Sequence, residues 1–262
     1  MSGRKKIISM LILLLALIAS AGLAHGGKNE AESLWELGEK AYEAGRYSEA
    51  ISYYEKSLSK CAGDYECIAS NLIGIGASHE ALGDDTKALP YYEKAMSAAQ
   101  KANNKDLIAT SLFDVGAVYY RQAIDYEKAY DYLEKSRIIF AELNDKDSLG
   151  IVLHYLGKAA SALGRYEKAL TSFNESVKIG KEKGNQQAVA ANLNLIGSVY
   201  SGLGQYDKPL AYYQDALRIN RQLNNFQEIA ITLRNIGDAY CDLVEYDKAL
   251  KYYQEALDIQ KK

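Results

Sequence analysis

A leucine, three residues and a glycine recur six times along this chain, and that spacing constrains its fold more than any other feature. The pairs are Leu34/Gly38, Leu72/Gly76, Leu112/Gly116, Leu153/Gly157, Leu193/Gly197 and Leu233/Gly237, so successive glycines lie 38 to 41 residues apart. Self-similarity at a period of roughly 20–50 residues marks a stacked array of one small structural unit.

Each unit reads as two helices. In the clearest copy Leu193, Ile196, Gly197 and Tyr200 fall at i, i+3, i+4 and i+7, one face of a first helix; Pro209, Tyr213, Ala216 and Leu217 repeat that pattern in a second. Gly204 between them supplies a left-handed C-cap. The expected N-caps of the second helices are Ser48, Thr86, Glu127, Glu167, Asp207 and Asp247. Two copies lack the turn glycine. Around Gln122–Tyr126 one residue is added, so the third first-helix runs longer or its turn bulges; Leu243-Val244-Glu245 predicts a tighter or more polar turn. Of the two prolines, Pro209 opens a helix, where a missing N–H costs little, and Pro90 predicts a small distortion a turn into its helix.

A small residue opens each second helix (Ala50, Ala88, Ala129, Ala169, Ala249, with Pro209 the exception), and a bulky one follows four later: Tyr54, Tyr92, Leu133, Phe173, Tyr213 and Tyr253. Leu-x-x-Ile-Gly-x-x-Tyr, a Gly-x-Tyr turn and Ala-x-x-x-Tyr-x-x-Ala together resemble the tetratricopeptide repeat over residues 31–262. Copies are expected at about 31–60, 69–99, 109–140, 150–180, 190–220 and 230–260. The period near 40 resembles the longer-helix subclass that includes kinesin light chains and many bacterial signalling proteins. The resemblance implies an all-α, right-handed superhelical solenoid of six antiparallel helix pairs. The physical reading agrees: glycine lets the partner helix approach, an aromatic ring fills the gap between pairs, and no pair covers its own apolar face.

Arg4, Lys5 and Lys6 precede an uncharged run from Ile7 to His25. With Ala19-Ser20-Ala21 and Gly22-Leu23-Ala24 behind it, this reads as a secretory signal over residues 1–24 or, because the run approaches bilayer-spanning length, an uncleaved membrane anchor. Either way the repeats are expected outside the cytoplasm, periplasmic or secreted if the segment is cleaved, and membrane contact is confined to that segment. No Cys follows the apolar core, so there is no lipoprotein site. In an oxidising compartment Cys61 and Cys67, across an interhelical turn, form a disulfide or remain two idle thiols. Zinc would need two more ligands and none lies nearby in sequence. Cys241 reads as a packed small residue. With no Ser-, Gly- or Pro-rich linker, the repeats read as one domain.

No catalytic, cofactor or metal constellation emerges, and we expect no enzyme. His25, His79 and His154 are far apart, and Gly74-Ile75-Gly76 lies inside a helix with no preceding strand, which excludes a nucleotide-binding loop. A net charge of -3 spread over helix surfaces excludes a nucleic-acid-binding stripe. The resemblance places partner binding in a concave groove lined by the first helices. The matching positions include Trp35, Glu39, Tyr42 and Phe113, and in repeats three to six Tyr120, Arg121, His154, Lys158, Asn194, Arg234, Asn235 and Asp238. Arg121, Lys158 and Arg234 suit an acidic segment or a terminal carboxylate, with Asn194 and Asn235 pairing to a peptide backbone. The competing reading is a solvated face with salt bridges between repeats. The expected function is a protein- or peptide-binding scaffold; the alternative is the sensory or regulatory part of a larger signalling system, its chain continuing beyond Lys262. Tyr253, Leu257 and Ile259 on the last helix would then be a docking surface or be covered by the continuing chain.

Overall fold

The computed structural model describes residues 30–260, so the basic-apolar segment at 1–24 lies outside the described residues. Twelve helices and no strand occur among the described residues. They form six pairs: α1 Glu30–Glu43 and α2 Tyr47–Lys60; α3 Tyr65–Ala81 and α4 Asp85–Ala102; α5 Lys105–Arg121 and α6 Tyr126–Glu142; α7 Lys146–Ala162 and α8 Tyr166–Glu182; α9 Gln186–Gly202 and α10 Pro209–Gln222; α11 Phe226–Asp242 and α12 Tyr246–Gln260. The chain divides into two compact units, Met1–Ser148 and Leu149–Lys262, with the division in the first turn of α7.

The first helices of repeats two to six start about one turn earlier than the apolar pattern suggests. A polar cap rather than the first seam residue sets their start. Asp64 accepts from the backbone N–H groups of Glu66 and Cys67, Asn104 from Leu107, Asn185 from Ala188 and Asn225 from Glu228. The second helices also begin earlier than expected. Asp84 and Asp125 cap α4 and α6, while Arg46 and Arg165 occupy the cap positions of α2 and α8 and do not cap the backbone with their side chains. The expected caps Ser48, Thr86, Glu127, Glu167 and Asp247 therefore lie inside their helices. The exception is α10. Elsewhere the small opening residue donates its N–H four residues back, as Ala88 does to Asp84 and Ala249 to Glu245. Pro209 has no N–H, so that turn is not closed and α10 starts at Pro209 with Lys208, not Asp207, as its cap. Pro90 lies within α4, which continues through it.

The first helices end in the same left-handed bend whether or not it contains glycine. Gly164 and Gly204 have φ of 69° and 71°, and their places are taken by Ala123 at 51° and Val244 at 61°. The bonds match as well. Arg165 N–H reaches the carbonyl of Ala160, and Glu245 N–H that of Tyr240. Repeat three adds its extra residue within the turn, and α5 ends at Arg121 without lengthening. Repeat six keeps an ordinary turn and forces a valine into the left-handed region.

At the seam, a Cβ added to Gly38, Gly157 or Gly237 would stand 2.5 Å from the ring of Tyr54, Phe173 or Tyr253 respectively. In the first unit the Tyr54 ring lies between Gly38 of its own repeat and Gly74 of the next, which gives Gly74 a packing role. Serines pin the pairs further: Ser57 Oγ donates to the Ala31 carbonyl, Ser136 to Ala109 and Ser176 to Gly150. Cys61, at the end of α2, is bonded to Cys67 in the first turn of α3, with their Cα atoms 5.6 Å apart. Cys241 is a free, half-buried thiol whose Sγ lies 3.4 Å from the Tyr253 hydroxyl.

Candidate functional site

Most of the side chains expected to face a partner are engaged within the protein. In the first unit Arg121 lies 2.7 Å from Glu80 and 3.2 Å from Asp85, with a second bond from its Nε to Asp85. Its charge is compensated by two carboxylates of the preceding repeat, so the competing reading of an inter-repeat ion pair holds there. Tyr120 packs against Tyr126 with ring centroids 5.8 Å apart.

In the second unit His154 and Asn194 form hydrogen bonds within the protein. Asn192 donates from Nδ2 to Ser176 Oγ and to the Ala188 carbonyl, which leaves its Oδ1 facing His154 Nδ1 at 3.1 Å. Nδ1 is therefore the protonated nitrogen of a neutral ring. Burial, aided by the Lys158 charge, lowers the His154 pKa to about 4. Asn194 is buried and donates to Thr232 Oγ1 at 2.9 Å, a bond to the following repeat. Lys158 stands over the Tyr155 ring at 5.2 Å. Asn235 is half-buried and Arg234 is exposed with no ion pair among the described residues. Asp238 accepts the Tyr253 hydroxyl at 2.7 Å.

That last bond belongs to a set. The residue after the repeat glycine meets the hydroxyl of the seam tyrosine: Glu39 with Tyr54 at 2.5 Å, Ser198 with Tyr213 at 3.2 Å and Asp238 with Tyr253. A buried hydroxyl requires a partner, and these positions supply it.

Several buried polar atoms on the first helices lack a hydrogen-bond partner, among them Asn71 Oδ1, Thr110 Oγ1 and Asn194 Oδ1, and two more belong to residues that line one cavity. In the first unit Trp35, Glu39, Tyr42 and Tyr54 line a narrow cavity, closed by Ser70, Ile73, Gly74 and Leu107. The indole N–H of Trp35 and Oε2 of Glu39 are both buried and both lack a hydrogen-bond partner. Burial raises the Glu39 pKa to about 7 against the lowering effect of the Tyr54 bond, with Glu43 adding to the rise. An unpartnered donor and an unpartnered acceptor thus share one cavity of about 20 Å³, room for a single small polar group. Among the described residues no group of three or more His, Cys, Asp and Glu could hold a metal, and no helix is long and apolar enough to cross a membrane.

A tetratricopeptide-repeat model matches residues 67–124, 124–182 and 187–262, and a second one matches 14–65. The chain belongs to the tetratricopeptide-repeat family. Similar solved structures include the apo form of RapI, at 17% identity over 98% of this chain and 93% of that one, with a TM-score of 0.69. The STAND protein PH0952 from Pyrococcus horikoshii, with its tetratricopeptide repeat sensor, matches at 18% identity and a TM-score of 0.76, over 88% of this chain and 36% of that one. A Rap protein complexed with Competence and Sporulation Factor matches at 15% identity and 0.57, over 91% and 77%. These likenesses support the all-α solenoid fold.

These tetratricopeptide repeats also carry a feature that periodicity alone did not single out. Tyr119–Tyr132, Tyr200–Tyr212 and Tyr240–Tyr252 stack with centroids 5.9, 5.4 and 5.5 Å apart, and His79–Tyr91 does the same at 5.5 Å. Lys128, Lys208 and Lys248 lie over the first ring of their stacks. The signal in the sequence is the aromatic residue three after the repeat glycine. In three of these copies a Tyr-Tyr doublet comes after it, whose second member fills the seam.

Proposed function

We propose that this chain is an extracytoplasmic protein- and peptide-binding scaffold, and that the first-helix face of its first unit takes a side chain of the partner. Family membership supports a protein-interaction scaffold. The observation that carries the proposed site is the Trp35–Glu39 cavity. Each buried, unpaired polar group costs about 1–3 kcal/mol, and one hydroxyl or carboxamide tip satisfies both by accepting from the indole and donating to the carboxyl oxygen. The disulfide between Cys61 and Cys67 fits an oxidising compartment, as does the basic-apolar segment over residues 1–24.

Selection of displayed random peptides on the immobilised protein tests the site. Enriched sequences should share a Ser, Thr, Asn or Gln and lose affinity for Trp35→Phe, which removes the N–H and keeps ring packing. Peptides that bind wild type and Trp35→Phe equally would refute it. A reporter active only outside the cytoplasm, fused behind residues 1–30, tests the location; a well-expressed but silent fusion would sink that part.

A second reading, a sensory component of a signalling system, draws on the neighbours. The Pyrococcus protein uses its repeats as a sensor and the Rap protein was captured with Competence and Sporulation Factor. In that case the cavity would receive the signal rather than a constitutive partner.

A further inference from the structure

We infer that the groove between α10 and α12, on the second helices of repeats five and six, is a docking site for an acidic segment of a partner polypeptide. This rests on the scaffold reading but uses a different surface. The groove is an open cavity of about 790 Å³ within the second unit. Arg218 and Arg221 line it from one turn of α10, and Lys248 and Lys251 from one turn of α12. Glu255 is its one lining carboxylate, held by Arg221 at 2.6 Å.

The remaining cations are weakly held. Arg218 reaches Asp215 at 3.3 Å with both side chains 61% exposed, and Lys248 pairs with Glu245 three residues earlier. Exposed pairs within a helical turn contribute little and exchange readily. Lys251 makes no ion pair among the described residues. Under the cations lie Leu217 and the stacked rings of Tyr240 and Tyr252, an apolar floor for the uncharged side chains of an incoming segment.

Repeat five has the same ring stack with Lys208 above it, but Ala211 stands where repeat six has Lys251, and Lys178 and Lys181 stand where the next copy has Arg218 and Arg221. The groove between repeats five and six therefore has one cation more than its counterpart one repeat earlier, and two guanidinium forks in place of two ammonium groups, the fork being the group that matches a carboxylate with two parallel bonds. The cations come in two rows, and three of the four already have a carboxylate neighbour, so positive charge is spread along the groove rather than focused. That favours single carboxylates along a polypeptide over a compact polyanion.

The test is fluorescence anisotropy of the whole protein with a labelled dodecapeptide alternating Glu and Leu, against its Gln counterpart. The acidic peptide should bind, and raising salt from about 50 to about 300 mM should weaken it by shortening the screening length. Arg218→Gln/Lys251→Gln should weaken it roughly tenfold or more with unchanged melting. Arg121→Gln and Trp35→Phe, neither of which lines the groove, should leave it unaltered. Equal binding of the Gln peptide, no saturable binding, or an unaffected double variant would overturn the site. Tighter binding of inorganic pyrophosphate or a single-stranded oligonucleotide would overturn the ligand class. Loss in Trp35→Phe alone would move the peptide to the other cavity, and loss of displayed-peptide binding there leaves this groove's result independent.

Discussion

Adding one methyl group at a seam glycine should destabilise this protein although it favours the helix. In Gly157→Ala the new Cβ would lie 2.5, 2.7 and 2.9 Å from Cε1, Cδ1 and Cζ of Phe173. The nearest is roughly 1 Å short of ordinary van der Waals separation. Three atoms of one ring edge are involved and Phe173 is fully buried, so a ring flip presents an equivalent edge and α8 must move away from α7. Overpacking of this kind costs about 1–3 kcal/mol, and replacing a helical glycine by alanine returns about 1 kcal/mol. The expected net loss is about 1–2 kcal/mol, the upper part of the overpacking range being favoured by a fully buried ring. In repeat three, where Gly116 faces Leu133 instead of an aromatic ring, an added Cβ would still lie 2.9 Å from Leu133 Cγ, farther than the 2.5 Å at Gly157, so a leucine relieves the clash only in part. Gly157→Ala should therefore be partly rescued by Phe173→Leu, with a coupling of about 1 kcal/mol in a double-mutant cycle. Urea melts followed by circular dichroism measure the energies, and native-state hydrogen exchange should locate the loss in α7 and α8. A stabilised Gly157→Ala, or energies that add with no coupling, would refute the seam argument.

Val244 holds a β-branched residue at φ 61° with its side chain 68% exposed. Val244→Gly therefore loses little packing and should raise stability by about 1–2 kcal/mol in the same melts; an unchanged midpoint would contradict the strain. Glu39 has its pKa raised to about 7, so between the ordinary carboxylate value and 7 the folded state holds the extra proton and stability falls as pH rises. Glu39→Gln should remove that slope and stabilise the protein at pH above about 7 by up to roughly 3 kcal/mol, read as melting at acid and alkaline pH; a slope that persists would place the titration elsewhere. His154 has its pKa lowered to about 4, so its stabilising contribution is present above the ordinary histidine value and is lost as pH falls towards 4. His154→Gln should flatten that acid limb, and an acid limb as steep as wild type would refute the assignment. Replacing Cys61 and Cys67 by alanine should cost about 2 kcal/mol, the loop entropy of a short closure; urea midpoints insensitive to reductant in the wild type would show that the bond contributes nothing.

The repeat period, the two helices of each copy and the glycine-against-aromatic seam were legible in the residues alone, because each arises from helical geometry within one copy. Local spacing places Gly157 and Phe173 on facing sides of one pair, and tertiary structure only tightens the contact. Helix starts were less legible, since Asp64, Asn104, Asn185 and Asn225 begin their helices a turn ahead of the apolar stripe. The fate of the partner-facing side chains was legible only as the alternative of salt bridges between repeats, without their partners. Arg121 meets Asp85 at a separation of 36 residues, and His154 with Asn192 and Asn194 with Thr232 are each 38 apart. Periodicity tells which face a residue is on, but not whether the neighbouring copy offers a carboxylate or a hydroxyl within reach. The same holds for the cavity at Trp35 and Glu39 and the groove at Arg218 and Lys251. A cavity exists only where side chains of adjacent copies fail to fill the space between them, and that depends on packing across copies, which no single repeat encodes.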